Sequence, residues 1–437
     1  MPENILIKDG TIITMDKNNR ILDKASLIIS GNRILDIDKT DAIKRKYRAD
    51  QTIDATDKMI LPGLVNTHHH PGMITSLNFG VEKFVLEDFL NDIYYPMLTV
   101  MTSEDAYWCA MLAYAQAIRQ GETCLNDMFC KTLDRAKAAE EIGVRAVLSS
   151  EVADLVPGQD TIQDNEKAVV EKNNAASGRI KVWFGLEWIP VCSSELLEKT
   201  RELANAHKTG IHIHLNESLK EVELCKKKYG KRPTEYLYEM GFLGHDVVAG
   251  HGIWLSDEEI QMMKKTRTNI AHCPAQNMKT AGGVARVLDL LSAGVNVGLG
   301  TDAYPDMFET LRCAKMIQHI TRLDATIMPA SKIFEMATTN GARALGLEEE
   351  IGSLESGKKA DLIVMNRKTL RLTPRPTAFR GQFNPFPSLL WTSTYGDIET
   401  VIIDGRITLN DGTLQTIDES KLMDKANETF QNLLEKI

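Results

Sequence analysis

Four apolar runs along the chain end abruptly in residues that bind metals. Leu61-Pro62-Gly63-Leu64-Val65-Asn66-Thr67 leads into His68-His69-His70, and Ile211-His212-Ile213-His214-Leu215 leads into Asn216-Glu217. Val247-Val248-Ala249-Gly250 leads into His251-Gly252, and Val295-Asn296-Val297-Gly298-Leu299-Gly300-Thr301 into Asp302. Short β-branched runs bounded by glycine read as strands, and the longer segments between them read as helices. Side chains alternate across a strand, so His68 and His70 share a face while His69 points away. Several strands that each finish in one polar, ligand-type residue predict an α/β fold of the (β/α)8 TIM-barrel type, whose chemistry gathers at the C-terminal ends of its strands.

Five motifs follow one another in order. They are Pro62-Gly63-Leu64-Val65-Asn66-Thr67-His68-His69-His70, His212-Ile213-His214-Leu215-Asn216-Glu217, Gly250-His251-Gly252, Ala271-His272-Cys273-Pro274-Ala275-Gln276-Asn277-Met278-Lys279 and Gly298-Leu299-Gly300-Thr301-Asp302. Together they resemble the amidohydrolase superfamily, in its cytosine-deaminase-like and chlorohydrolase branch, across essentially all 437 residues. Methylthioadenosine/S-adenosylhomocysteine deaminases and 8-oxoguanine deaminases carry similar motifs.

The resemblance implies one divalent ion held by His68, His70, His214 and Asp302. Three nitrogens and one oxygen suit zinc with a position left for water, and iron(II) and manganese(II) are the alternatives. No lysine is placed to be carboxylated as a bridge, so one metal is expected rather than two. Asp302 is also expected to accept the proton of that water; the plainer reading is a cap on the following loop. Glu217, three residues after His214, is the expected proton shuttle, protonating a ring nitrogen and then the departing amine. Chlorohydrolase relatives tend to lack a glutamate here, because chloride leaves unprotonated. His251 is expected to orient the nucleophile and stabilise developing charge, the alternative being a further metal contact. His212 is read as a hydrogen-bonding partner behind the ligands. His69 and His272 are not expected to be ligands.

The departures from the relatives bear on substrate. Phe89 falls where the nucleoside deaminases place a tryptophan, Leu98 where a glutamate binds ribose hydroxyls, and Ser150 where an arginine reads a carboxylate. No second arginine appears between 151 and 164. Glu187 replaces a histidine that lies against the base, and Asp306 sits in a short loop where the relatives have a longer one bearing a serine. Phe89, Glu187 and Asp306 are thus the expected substrate contacts. Buried carboxylates need donors, which points to a substrate rich in N–H groups or carrying positive charge; the alternative is that Glu187 pairs with a protein Arg or Lys. The expected activity is hydrolytic deamination of an amino-substituted N-heterocycle, a guanine-like, pterin-like or other amino-purine or pyrimidine ring, to its oxo form. A nucleoside deaminase of the adenosine or methylthioadenosine/S-adenosylhomocysteine type is the alternative, and a triazine-type chlorohydrolase a further one. A catalytically silent binding protein is disfavoured by the complete ligand set.

The chain ends fill in the domain plan. A barrel needs about 250 residues, and the remainder lies at both termini. Ile5-Leu6-Ile7 and Ser26-Leu27-Ile28-Ile29-Ser30 read as strands separated by turns at Asp9-Gly10 and Gly31-Asn32, and residues 352–363 and 401–406 repeat the style. The resemblance implies a small β-sandwich built from residues 1–60 and 351–437, the latter including a terminal helix, beside a barrel at 61–350. A net charge of −9 argues against nucleic acid or an anionic membrane as partner. No apolar stretch reaches the roughly 18 residues of a span, and the N-terminus lacks the pattern of a leader, so a cytoplasmic enzyme acting on a small molecule is expected. A homo-oligomer is compatible with the sequence. The seven cysteines lack CxxC spacing and read as buried small apolar residues.

Overall fold

The computed structural model describes residues 4–71, 86–374 and 383–437. Eight parallel strands form the barrel: β6 (Leu64–His69), β7 (Glu122–Met128), β8 (Arg145–Ser149), β9 (Ile180–Trp188), β10 (Ile211–Leu215), β11 (Val247–His251), β12 (Asn269–His272) and β13 (Val297–Leu299). They lie side by side in chain order. The seam between β13 and β6 is closed by the residues just past β13, where Asp302 N–H donates to His68 O at 2.8 Å and Thr67 Oγ1 donates to Leu299 O at 2.9 Å. The segment that brings Asp302 to the histidines is therefore also the one that shuts the barrel.

Helices cover the outside, each started by local chemistry. Thr102 and Asp105 form a reciprocal capping box at the head of Ser103–Arg119, and Ser256 and Glu259 do the same for Asp257–Thr266. The apolar faces of these helices and strands share one continuous core.

Both chain ends join in one mixed sheet. β1 (Asn4–Ile13), β2 (Ile21–Ser30), β3 (Arg33–Lys39), β4 (Gln51–Asp54) and β5 (Lys58–Pro62) are joined to β14 (Leu362–Asn366), β15 (Ile398–Ile403), β16 (Arg406–Asn410) and β17 (Thr413–Leu414) by antiparallel pairing of β5 with β14. The turn expected at Asp9-Gly10 is instead a bulge inside β1. Asp9 takes φ 63° and the register against β2 shifts there, so the strand continues. A Cβ on Gly10 would come within 2.7 Å of Ile60 Cδ1, so any larger residue there would require the Ile60 side chain to shift. The strand expected over 352–363 begins only at Leu362. Asp404-Gly405 makes a tight hairpin with both residues at positive φ, as its sequence suggests.

Buried ion pairing ties the sheet to the barrel. Arg145 in β8 donates to both oxygens of Asp361, at 2.7 and 3.0 Å, and reaches Asp404 Oδ1 at 3.3 Å. Removing one partner of such a set strands the rest without compensation, at a cost of about 3–5 kcal/mol. Arg145→Leu is expected to lose stability on that scale, read as a lower urea midpoint. An unchanged midpoint would show that the carboxylates find other partners.

Candidate active site

Four strand ends converge. His68 and His70 come from β6 and the residue after it, His214 from β10, His251 from the end of β11, and Asp302 from just past β13. One ligand atom from each of His68, His70 and His214 lies within 4.8 Å of the others, and so does one from each of His68, His251 and Asp302. All five side chains are buried.

The hydrogen bonds behind the rings decide what the ring nitrogens can do. His70 Nδ1 is 2.8 Å from Met128 O, and His214 Nδ1 is 2.6 Å from Glu187 O. A carbonyl only accepts, so both Nδ1 atoms carry the hydrogen and both Nε2 atoms present lone pairs. Those lone pairs face each other at 2.9 Å. His68 Nδ1 is 2.7 Å from His212 Nε2, and with the hydrogen on His68 its Nε2 joins the group, 3.2 Å from His70 Nε2. Burial, followed by the neighbouring imidazoles, holds His68 and His70 well below the usual histidine range, and burial with His251 brings His214 to about 3. Neutral lone pairs turned on one another in a dry site repel unless a cation stands among them, so this donor set fits a divalent metal ion. His212 is the hydrogen-bonding partner behind His68, the role the family resemblance implied for it.

The acids sit beside this group. Asp302 Oδ2 is 4.0 Å from His68 Nε2 and 3.5 Å from His251 Nε2, and Asp302 Oδ1 is 3.8 Å from His70 Nε2. His251 donates from Nδ1 to Asn277 Oδ1 at 2.9 Å and turns Nε2 toward Glu217 Oε1 at 3.6 Å. Burial pushes Asp302 up to about 6, and burial with the charge of Glu87 pushes Glu217 up to about 8.

Three non-glycine residues here, Asn216, His251 and Asp302, have positive φ, a conformation costing roughly 1–2 kcal/mol each. The surroundings impose it. The Asn216 carbonyl accepts the amides of Ile253 and Trp254, and its side chain accepts Thr234 Oγ1 at 2.6 Å. Glu221 Oε2 then takes the Glu217 amide at 2.7 Å, which fixes the loop carrying that carboxyl.

A cavity opens over the cluster, lined by His70, His214, Glu217, His251, Asp302 and Glu187. Glu187 is 3% exposed and pairs with no Arg or Lys among the described residues; Tyr95 Oη donates to its Oε1 at 2.9 Å. Phe89 does not line the cavity. It stacks on Tyr94, and Leu86 and Leu90 supply that wall. Asp306 lies outside the lining too; its side chain accepts the Glu309 amide and caps the helix Met307–Arg322. Ser150 turns its hydroxyl to Thr132 and Asp160, and Leu98 is buried in an apolar cluster. His69 lies 3.5 Å from Asp127, away from the ligands.

Two features escaped the sequence reading. Glu151, two residues past the end of β8, lines the cavity and accepts a hydrogen bond from Tyr94 Oη. Tyr94 and Tyr95 come from a π-helical turn, Leu90–Tyr94, and the helix that continues it. The rule that barrel chemistry sits at strand ends points to Glu151 directly. No sequence pattern announces a π-helical turn.

The amidohydrolase family profile matches residues 59–408. The chain belongs to the amidohydrolase family. It is a hydrolase acting on carbon–nitrogen bonds. It is 38% identical over 441 residues to a 5′-deoxyadenosine deaminase of Methanobrevibacter smithii, covering 99% of this chain and 98% of the relative. It is 36% identical over 447 residues to a 5-methylthioadenosine/S-adenosylhomocysteine deaminase of Acetivibrio thermocellus, covering 99% of this chain and 100% of the relative. Among solved structures, a zinc-bound adenosine deaminase from Xanthomonas campestris superposes with a TM-score of 0.92 at 25% identity, covering 99% of each chain. No helix among the described residues is long and apolar enough to cross a membrane.

Proposed function

We propose that this amidohydrolase is a zinc-dependent hydrolytic deaminase of adenine nucleosides, with 5′-deoxyadenosine as the model substrate. The observation that carries this reading is the convergence of His68, His70, His214 and Asp302 beside the protonatable Glu217, in a chain akin throughout its length to deaminases of such nucleosides. This reverses the order of expectation drawn from the sequence, which put guanine-like and pterin-like rings first because carboxylate-reading arginines and the ribose glutamate are missing. The missing arginines disfavour only a nucleoside with a carboxylate tail. 5′-Deoxyadenosine has none, so Ser150 in place of arginine is consistent with it.

His68, His70, His214 and Asp302 would hold the ion, with the three imidazoles neutral at physiological pH and the carboxylate offsetting positive charge. When bound, such an ion supplies the Lewis acidity that makes water nucleophilic near neutrality. Asp302 takes the proton that the attacking water loses. Glu217, held in its acid form by burial, protonates the ring nitrogen next to the carbon under attack, then takes the proton of the newly formed hydroxyl and passes it to the departing amine, which leaves as ammonia while the proton on Asp302 returns to Glu217. His251, between Asp302 and Glu217, orients the attacking water.

Metal-replete enzyme is expected to release one ammonia per 5′-deoxyadenosine, converting adenine absorbance to that of hypoxanthine. Its kcat/KM for that nucleoside should exceed those for guanine and pterin by at least about tenfold, since every 1.4 kcal/mol of transition-state binding contributes that factor. A screen in which guanine or pterin outruns the nucleoside would return the free ring to first place.

A further inference from the structure

The cavity has a second polar pole that the deamination steps do not use. Glu151, two residues past the end of β8, and Glu187, in the neighbouring β9, are held side by side by a bridge between Val152 and Leu186, with Glu187 N–H donating to Val152 O at 3.0 Å. Both line the cavity, and they are 1% and 3% exposed. Each carboxyl is braced by one tyrosine, Glu151 by Tyr94 and Glu187 by Tyr95. The buried Arg135 that acts electrostatically on Glu151 is committed to Asp127 and to the carbonyls of Phe129, Cys130 and Ser149. Glu187 Oε2 has no hydrogen-bond partner among the described residues. A buried carboxyl oxygen without a donor is costly, so it marks a place that a ligand's donors complete.

The chemistry of the donor follows from the substrate. 5′-Deoxyadenosine has three groups that can donate. Its amino group is the one that reacts, and the other two are the adjacent 2′- and 3′-hydroxyls of the sugar. Two carboxyls at the ends of adjacent strands are matched to such a diol, each offering an oxygen that accepts one O–H.

Resting on the deaminase reading, we propose that Glu151 and Glu187, aligned by Tyr94 and Tyr95, form the subsite that accepts the 2′- and 3′-hydroxyl hydrogens of the nucleoside. A sugar lacking either hydroxyl leaves a buried acceptor unpaired and is discriminated against, and a free base engages only the metal pole.

The test compares kcat/KM for 5′-deoxyadenosine with those for its 2′-deoxy and 3′-deoxy counterparts, using metal-loaded wild type, Glu151→Leu, Glu187→Leu and Tyr94→Phe. Wild type is expected to lose roughly 10–100-fold on removal of a hydroxyl. In Glu151→Leu and Glu187→Leu the parent nucleoside should fall by a similar factor, while the penalty for the hydroxyl each residue reads collapses to within about threefold. Tyr94→Phe keeps the carboxyl and loosens it, so an intermediate penalty is expected. Ratios within one preparation are independent of its folded fraction and metal content. Should the leucine variants fail to fold, Glu151→Met and Glu187→Met, which keep the side-chain length and remove the acceptor, carry the same comparison. Equal turnover of the deoxy sugars by wild type, or penalties unchanged in every variant, overturns the subsite. No ammonia from 5′-deoxyadenosine with wild type overturns the deaminase reading itself and the subsite with it.

Discussion

Replacing His214 by alanine is expected to remove the metal and the activity together. Its Nδ1 hydrogen is fixed on Glu187 O, so its Nε2 has no task but to face His70 Nε2 at 2.9 Å. Deleting it leaves two imidazoles and a carboxylate. Affinity should fall by more than the roughly 10–100-fold typical of losing a hydrogen-bonding partner of a ligand, the loss expected for His212→Asn. Elemental analysis after gel filtration should find one metal per chain in wild type and a small fraction in His214→Ala. A chelator should lower the melting temperature of wild type, because the ion binds only the folded chain, and should leave His214→Ala unmoved. Full occupancy in the variant would remove His214 from the ligand set.

The two kinds of active-site residue differ in how legible they were. The candidate ligand cluster was readable in part because strand alternation is a local rule: His68 and His70 must share a face whatever else the chain does, whereas the choice of His214 over His212 came from the family resemblance. His214 lies inside one apolar run and Asp302 at the end of another, and the structure brings them to one point because parallel barrel strands deliver their C-terminal ends to one face. The substrate wall was less legible, since it depends on segments without a period. Phe89, Leu90, Tyr94 and Tyr95 lie within seven consecutive residues, yet a π-helical turn decides which of them face the cavity, and Phe89 turned out to stack on Tyr94 instead. Asp306 was assigned to the pocket because it sits in the short loop after Asp302, where the relatives carry a longer loop bearing a serine. An aspartate three residues before Glu309 at a helix start is equally an N-cap, and the local hydrogen bond is the one observed. In the outer sheet the reading of Asp9-Gly10 as a turn failed because a bulge uses the same residues as a turn; only the pairing of both flanking segments with β2 tells them apart.

Glu217→Gln is expected to keep the metal and lose the chemistry. The substitution preserves shape, and the Glu217 amide still bonds Glu221 Oε2. A glutamine can donate a hydrogen bond but cannot give up a proton, so the general acid–base contribution of about 10²–10⁴-fold in kcat should disappear while one metal per chain remains. The protonation state supplies a second check. Burial and the charge of Glu87 hold the Glu217 carboxyl up to about 8, so it carries its proton at neutral pH and loses it as the pH rises. Wild-type kcat/KM should therefore fall on the alkaline side near pH 8. Glu87→Gln removes the charge that disfavours ionisation, so the same limb should move to lower pH, with the plateau rate little changed. A Glu217→Gln enzyme with near-normal turnover, or an alkaline limb that ignores Glu87, would mean that the proton reaches the substrate by another route.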